Sequence, residues 1–89
     1  MKVLKIGAVW CPGCIIMKPR WQKIEQELPW LETEYFDYDK DKDVVEKYQV
    51  GKKIPVFIFL DKDSQEFDRK TGEIDRKELM AFLQENKDR

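Results

Sequence analysis

Apolar and polar positions along this chain fall into blocks of different period, and each change of period marks a new element. Val3 to Val9 is apolar almost throughout and rich in β-branched residues, with Lys5 the one misfit. A short continuous run of this kind predicts a strand buried on both faces, in the middle of a parallel or mixed sheet. Gly7 and Ala8 in it permit close approach of a neighbour. From Pro12 to Leu28 the residues Cys14, Met17, Trp21, Ile24 and Leu28 recur at spacings of three and four. They predict a helix with one apolar stripe, with Lys18, Gln22, Lys23, Glu25 and Gln26 mostly on the opposite face. Pro19 should kink this helix and Pro29 should end it. Leu31 to Tyr38 returns to alternation and predicts a second strand, although the adjacent Tyr35 and Phe36 leave its inward face open.

After a charged loop at Asp39 to Lys42, a short helix is expected from Asp43. Glu46 would complete a capping box and Gly51 would lie just past the end. Ile54 to Leu60 is a strongly apolar strand opened by Pro55. Asp61 to Ser64 reads as a turn, and Gln65 to Lys70 as a more polar edge strand that closes a hairpin. A last helix starts at Asp75, with Glu78 as its capping partner and Leu79, Met80, Phe82 and Leu83 on its apolar face. Glu85 to Arg89 should fray. The predicted order is β-α-β-α-β-β-α: an α/β fold with a four-stranded mixed sheet, its first two strands parallel, and helices on both faces.

Eighty-nine residues make a single domain, 1–89, with room for one modest core. Charged residues make up 39% of the chain, yet they nearly cancel to a net charge of −1. That balance gives no general attraction to nucleic acid or to an anionic membrane. No apolar run approaches the roughly 18 residues needed to span a bilayer. The start resembles a signal sequence only superficially, since Lys5 interrupts the run and no small-residue cleavage site follows. A cytoplasmic monomer is expected.

Both cysteines lie in Trp10-Cys11-Pro12-Gly13-Cys14, at the junction of the first strand and first helix. A Cys-x-x-Cys there marks a thiol–disulfide redox site. At a helix N-terminus the first N–H groups lack partners and the helix dipole is positive, so a Cys11 thiolate would be stabilised. Pro12 suits the first turn because its missing N–H costs nothing there. Cys14 lies one turn on, within reach of a disulfide to Cys11. A structural disulfide is the weaker reading, because a two-residue loop gains little from cross-linking. A zinc site normally needs four ligands, and with no His and no third Cys only carboxylates could complete one, which makes it a weaker reading still. The acidic stretch Asp37 to Asp43 lacks the spacing of a Ca²⁺ loop and reads as solvated.

With that order in hand the chain resembles the thioredoxin superfamily. Trp10-Cys11-Pro12-Gly13-Cys14 is similar to the family's Trp-Cys-x-x-Cys, and Pro19 to the proline of its active-site helix. Glu46 to Val50 followed by Ile54-Pro55 resembles the approach to the family's cis-proline. Gly72 with Asp75 to Leu83 resembles its closing glycine and helix. The likeness runs from Val3 to Leu83. The extra strand and helix that open most thioredoxins are missing, so the length is nearer to a glutaredoxin. The order Pro-Gly is reversed from the usual Gly-Pro. Asp61 to Ser64 stands where glutaredoxins carry a glycine pair that holds glutathione. Lys5 occupies the place of the family's buried acid.

The resemblance implies a dithiol–disulfide oxidoreductase with Cys11 as exposed nucleophile and Cys14 as buried resolver. It implies a cis Ile54–Pro55 bond and a substrate-binding rim of Trp10, Pro12, Gly13, Ile54, Pro55, Thr71 and Gly72. For Trp10, core packing is the competing expectation; Trp21, Trp30 and the three tyrosines are read as packing. No bound cofactor or metal is implied, the redox centre being a Cys11–Cys14 disulfide that stores two electrons when reduced to its dithiol. Partners would be disulfide-containing proteins and a reductase as electron donor. A glutathione-dependent glutaredoxin and a non-enzymatic, redox-gated adaptor are the alternatives. For Lys5 the expectation is an ammonium that snorkels to solvent rather than one beside the sulfurs, leaving Cys14 without an internal base.

Overall fold

Seven elements follow one another in the computed structural model, which describes residues 1–89. They are β1 (Lys2–Gly7), α1 (Pro12–Glu27), β2 (Glu32–Asp37), α2 (Lys42–Lys47), β3 (Val56–Leu60), β4 (Glu66–Thr71) and α3 (Arg76–Glu85). The strands form one sheet in the order β2-β1-β3-β4. β1 runs parallel to β2 and antiparallel to β3, and β3 runs antiparallel to β4. This is the mixed sheet and the element order that the hydrophobic pattern predicts.

β3 explains why the sheet needs helices on both sides. All its residues are buried, so its alternating side chains must supply two cores. Phe57 and Phe59 join Val3, Met17, Trp21, Ile24, Leu79 and Leu83 on the face covered by α1 and α3. Val56, Ile58 and Leu60 join Leu4, Ile6 and Val50 on the other face, where Val44, Val45 and Tyr48 of the α2 region pack. Each fully buried side chain of this size contributes about 1.5–3 kcal/mol. The edge strands β2 and β4 carry the polar residues, as water on their outer sides demands.

Three local expectations change. β1 ends at Gly7, whose carbonyl accepts the Tyr38 N–H at 2.7 Å, and the Cys11 N–H then closes a turn onto the Ala8 carbonyl at 3.2 Å. Val9, expected inside the strand, therefore lies in that turn and is 84% exposed. Neither capping box forms. α2 starts at Lys42 behind Asp41, whose Oδ2 accepts the Asp37 N–H at 2.7 Å instead of capping, and Asp75 makes no side-chain cap bond to α3. At the end of α2 the left-handed residue is Gln49, with φ 52°, not Gly51. The Val50 N–H bonds Val45 O at 2.9 Å and the Gln49 N–H bonds Glu46 O at 3.1 Å. That is the Schellman pairing, formed two residues before the glycine.

Candidate active site

Cys11 is the N-cap of α1. Its extended backbone (φ −90°, ψ 115°) turns the side chain back over the helix start. There Cys11 Sγ accepts the Cys14 N–H at 3.2 Å, and it lies 3.5 Å from the Ile54 carbonyl oxygen, to which its S–H donates. One sulfur thus satisfies an otherwise orphaned N–H of the first turn. Both cysteines are free thiols. The expected order of exposure is reversed: Cys11 is only 3% exposed, whereas Cys14 is half-buried. The helix start and the Ile54 carbonyl enclose Cys11, while Cys14 faces a cleft.

The rim residues come together from three segments. The Ile54–Pro55 bond is cis, and Pro55 is buried. Gly13 allows the proline in, for a Cβ there would stand 3.1 Å from Pro55 Cδ. The Gly72 N–H donates to the Pro55 carbonyl at 2.8 Å, from a backbone with φ 88°. Thr71, at the end of β4, is exposed and pairs with Val56. The loop beyond is tied to α1, since Arg20 donates to the Ile74 carbonyl at 2.9 Å and the Ile74 N–H meets Met17 Sδ at 3.4 Å. Trp10 is 57% exposed and so is not core. Its indole N–H donates to Asp39 Oδ2 at 2.6 Å, which fixes the ring beside Cys11. Trp21 is buried against Phe57 with ring centroids 5.2 Å apart, and its Nε1 has no partner.

A cleft of about 520 Å³ opens beside Cys14, between α1 and the β1–β2 face of the sheet. Gly7 forms its floor: a Cβ there would stand 2.8 Å from Cys14 Sγ and 3.4 Å from Tyr35 Cε1. Burial, then the hydrogen bond with Cys11, then the Cys11 charge push the Cys14 thiol up to about 12. The Tyr35 phenol is also raised, first by desolvation and then by the charges of Asp37, Cys14, Cys11 and Asp41.

Lys5 lines the same cleft in neither of the expected ways. Its side chain is 18% exposed, and its ammonium pairs with Glu25 Oε2 at 2.7 Å and lies 5.7 Å from the Trp21 ring centroid. The ion pair lets the ammonium stay part-buried without reaching open water. The sequence reading placed Glu25 on the solvent face and missed it. The signal was there in the series Cys14, Lys18, Gln22, Glu25, whose spacings of four, four and three put all of them along the cleft. Asp37 was also missed as a cleft residue. No group of three or more His, Cys, Asp or Glu side chains is placed to hold a metal ion.

The model of a family described as "Thioredoxin" matches residues 1–73. Among solved structures, the thioredoxin of Fasciola hepatica superposes with a TM-score of 0.85 at 28% identity, over 96% of this chain and 79% of that one. Thioredoxin-2, a component of malaria parasite protein secretion machinery, superposes with a TM-score of 0.86 at 25% identity, over 94% and 81%. A thioredoxin of Nicotiana alata gives 0.85 at 25% identity, over 96% and 71%. No curated protein matches the chain. No helix is long and apolar enough to cross a membrane.

Proposed function

The chain belongs to the thioredoxin family, and from that premise we propose that it is a dithiol–disulfide oxidoreductase acting on protein disulfides. The observation that carries this reading is the geometry at the start of α1. Cys11 Sγ sits at the N-terminus of a 16-residue helix and already accepts the Cys14 N–H at 3.2 Å. The second thiol is one turn away. A Cys11 thiolate there is met by the helix dipole and an N–H donor. It attacks one sulfur of a substrate disulfide, and the other sulfur leaves as a thiolate. Cys14 then attacks Cys11 Sγ, the second substrate thiol is released, and the pair remains as a Cys11–Cys14 disulfide. Two electrons pass to the substrate, and no bound cofactor takes part.

Trp10, Pro12, Gly13, Ile54, Pro55, Thr71 and Gly72 form the rim on which an extended substrate segment docks. A reductase returns the electrons to the pair. The setting is cytoplasmic, where cysteine pairs serve exchange rather than structure.

The test is turnover of insulin disulfides with dithiothreitol as donor, beside a glutathione mixed disulfide with glutathione as donor. Insulin turnover that Cys11→Ser abolishes, and that Cys14→Ser converts into trapped mixed disulfides, supports the reading. Turnover only with glutathione makes the protein a glutaredoxin. Turnover with neither leaves the cysteine pair as a gate on binding.

A further inference from the structure

We propose that Asp37 is the general base of the resolving step, its free carboxylate oxygen taking the Cys14 proton through a water in the cleft. The inference rests on the exchange activity proposed above. A thiol held protonated at neutral pH attacks slowly unless a base removes its proton as the new bond forms.

The ionisable groups that share the cleft with Cys14 are few. β1 supplies Lys5, β2 supplies Tyr35 and Asp37, and α1 supplies Lys18 and Glu25, while Phe57 of β3 and Pro55 just before it bring no ionisable group. Cys11 lies beside it as the sulfur under attack. Lys5 and Lys18 are cations and accept no proton. Tyr35 keeps its own proton, being raised by its surroundings. Glu25 is already engaged by the Lys5 ammonium, whose Nζ lies 2.7 Å from its Oε2.

Asp37 remains. Its Oδ1 accepts the Asp39 N–H at 2.8 Å and the Lys40 N–H at 3.1 Å, and its Oδ2 accepts from no protein group. Its position follows from the register. Asp37 is paired with Gly7 across the parallel β1–β2 ladder, so both positions point to the same face, about 4.8 Å apart. The Gly7 Cβ position is the spot 2.8 Å from Cys14 Sγ. Asp37 therefore stands about one strand spacing from the place that the sulfur touches and lines the same cleft, a separation suited to relay through a water rather than to direct contact.

In the step, Cys14 Sγ forms a bond to Cys11 Sγ and the Cys11–substrate S–S bond breaks, its electron pair leaving on the substrate sulfur. The Cys14 proton passes to the water, and the water's proton passes to Asp37. The neutral carboxyl then returns it to solvent or to the departing thiolate.

The experiment mixes the reduced protein, in molar excess, with a chromogenic aromatic disulfide. Attack by Cys11 releases the first aromatic thiol, and resolution by Cys14 releases the second. Asp37→Asn keeps an oxygen for the Asp39 and Lys40 N–H groups, so the turn that carries Asp39 to Trp10 survives. The expected result is an unchanged first phase and a second phase slower by about tenfold or more at pH 7. The gap should close at high pH, where hydroxide replaces the base. Glu25→Gln should leave the second phase unchanged. In the wild-type protein the second phase should slow in D₂O, because a proton is transferred as the new bond forms. An Asp37→Asn second phase with the wild-type pH profile overturns the proposal, and so does a wild-type second phase with no solvent isotope effect, a measurement that needs no variant to fold. Absence of the first phase from the wild-type protein would instead overturn the exchange activity itself.

Discussion

At Gly7 a Cβ would stand 2.8 Å from Cys14 Sγ and 3.3 Å from Cys14 Cβ. The sulfur could swing away, but Cys14 Cβ is anchored to the helix, so α1 must also give. Gly7→Ala should destabilise the reduced protein by about 1–3 kcal/mol, the usual cost of overpacking. Chemical denaturation reads this directly, and an unchanged midpoint would mean that the helix start yields to the added methyl at no cost. The Cys14 thiol makes a second prediction. It is pushed up to about 12 in the fold, against an ordinary 9.0 in an open chain. Below about pH 9 both states keep the proton, and the folded state has its full advantage. Above that the unfolded chain ionises first, so stability is lost as pH climbs toward 12. The oxidised form has no such thiol. Its lead over the reduced form in denaturation free energy should therefore widen between pH 9 and 11, and a constant difference would contradict the cause assigned to the shift. The cysteine pair and Pro55 were legible as residues, since their spacing and sequence context are local. The part-buried Lys5 and its partner Glu25 were not. That pair depends on how α1 is rotated over β1, which no pattern along the chain encodes. The order of cysteine exposure failed for the same reason, because it turns on Ile54, distant in sequence, lying against Cys11.

The elements themselves were legible because period and length agree for each of them. Their ends were less so. Two capping boxes were read from Asp43 with Glu46 and from Asp75 with Glu78. Neither forms, since Asp41 takes the first cap position and spends its carboxylate on the Asp37 N–H. The close of α2 misled through Gly51, whose φ is not left-handed, whereas Gln49 is the residue at φ 52°. A non-glycine residue in the left-handed region costs about 1–2 kcal/mol. Gln49 is exposed, so its side chain offers no packing in return. Gln49→Gly should stabilise the protein by about 0.5–1 kcal/mol, less than the full strain because glycine also frees the unfolded chain. A denaturant titration decides it, and a loss of stability would mean that the Gln49 side chain makes a contact of its own. Gly51→Ala, outside the Schellman pairing and with no atom within 4 Å of its Cβ position, should be close to neutral.

On the scale of the molecule, one strand both holds the domain together and carries one wall of the site. β3 feeds both cores, and on the α1–α3 face its Phe57 and Phe59 divide the work. Phe57 packs on Trp21 and lines the cleft beside Cys14. Phe59 packs on Phe82 with centroids 4.6 Å apart and on Phe67 at 6.3 Å, and it does not reach the cleft. A domain of 89 residues has a net stability of roughly 4–13 kcal/mol at the usual figure per residue. Truncating a buried phenylalanine costs about 3–5 kcal/mol, a large share of that total at either position. The two substitutions should nonetheless differ in function. Phe59→Ala should lower the denaturation midpoint while leaving the exchange rate per folded molecule unchanged at temperatures well below the melt. Phe57→Ala should lower both, because the space it opens joins the cleft and frees Trp21 and α1 to move relative to Gly7. Melting curves and single-turnover disulfide exchange on the same samples separate the two effects. Equal loss of exchange rate in both variants would mean that the large core and the cysteine site move as one unit, and that the stability of the sheet, rather than the local wall at Phe57, sets the position of Cys14.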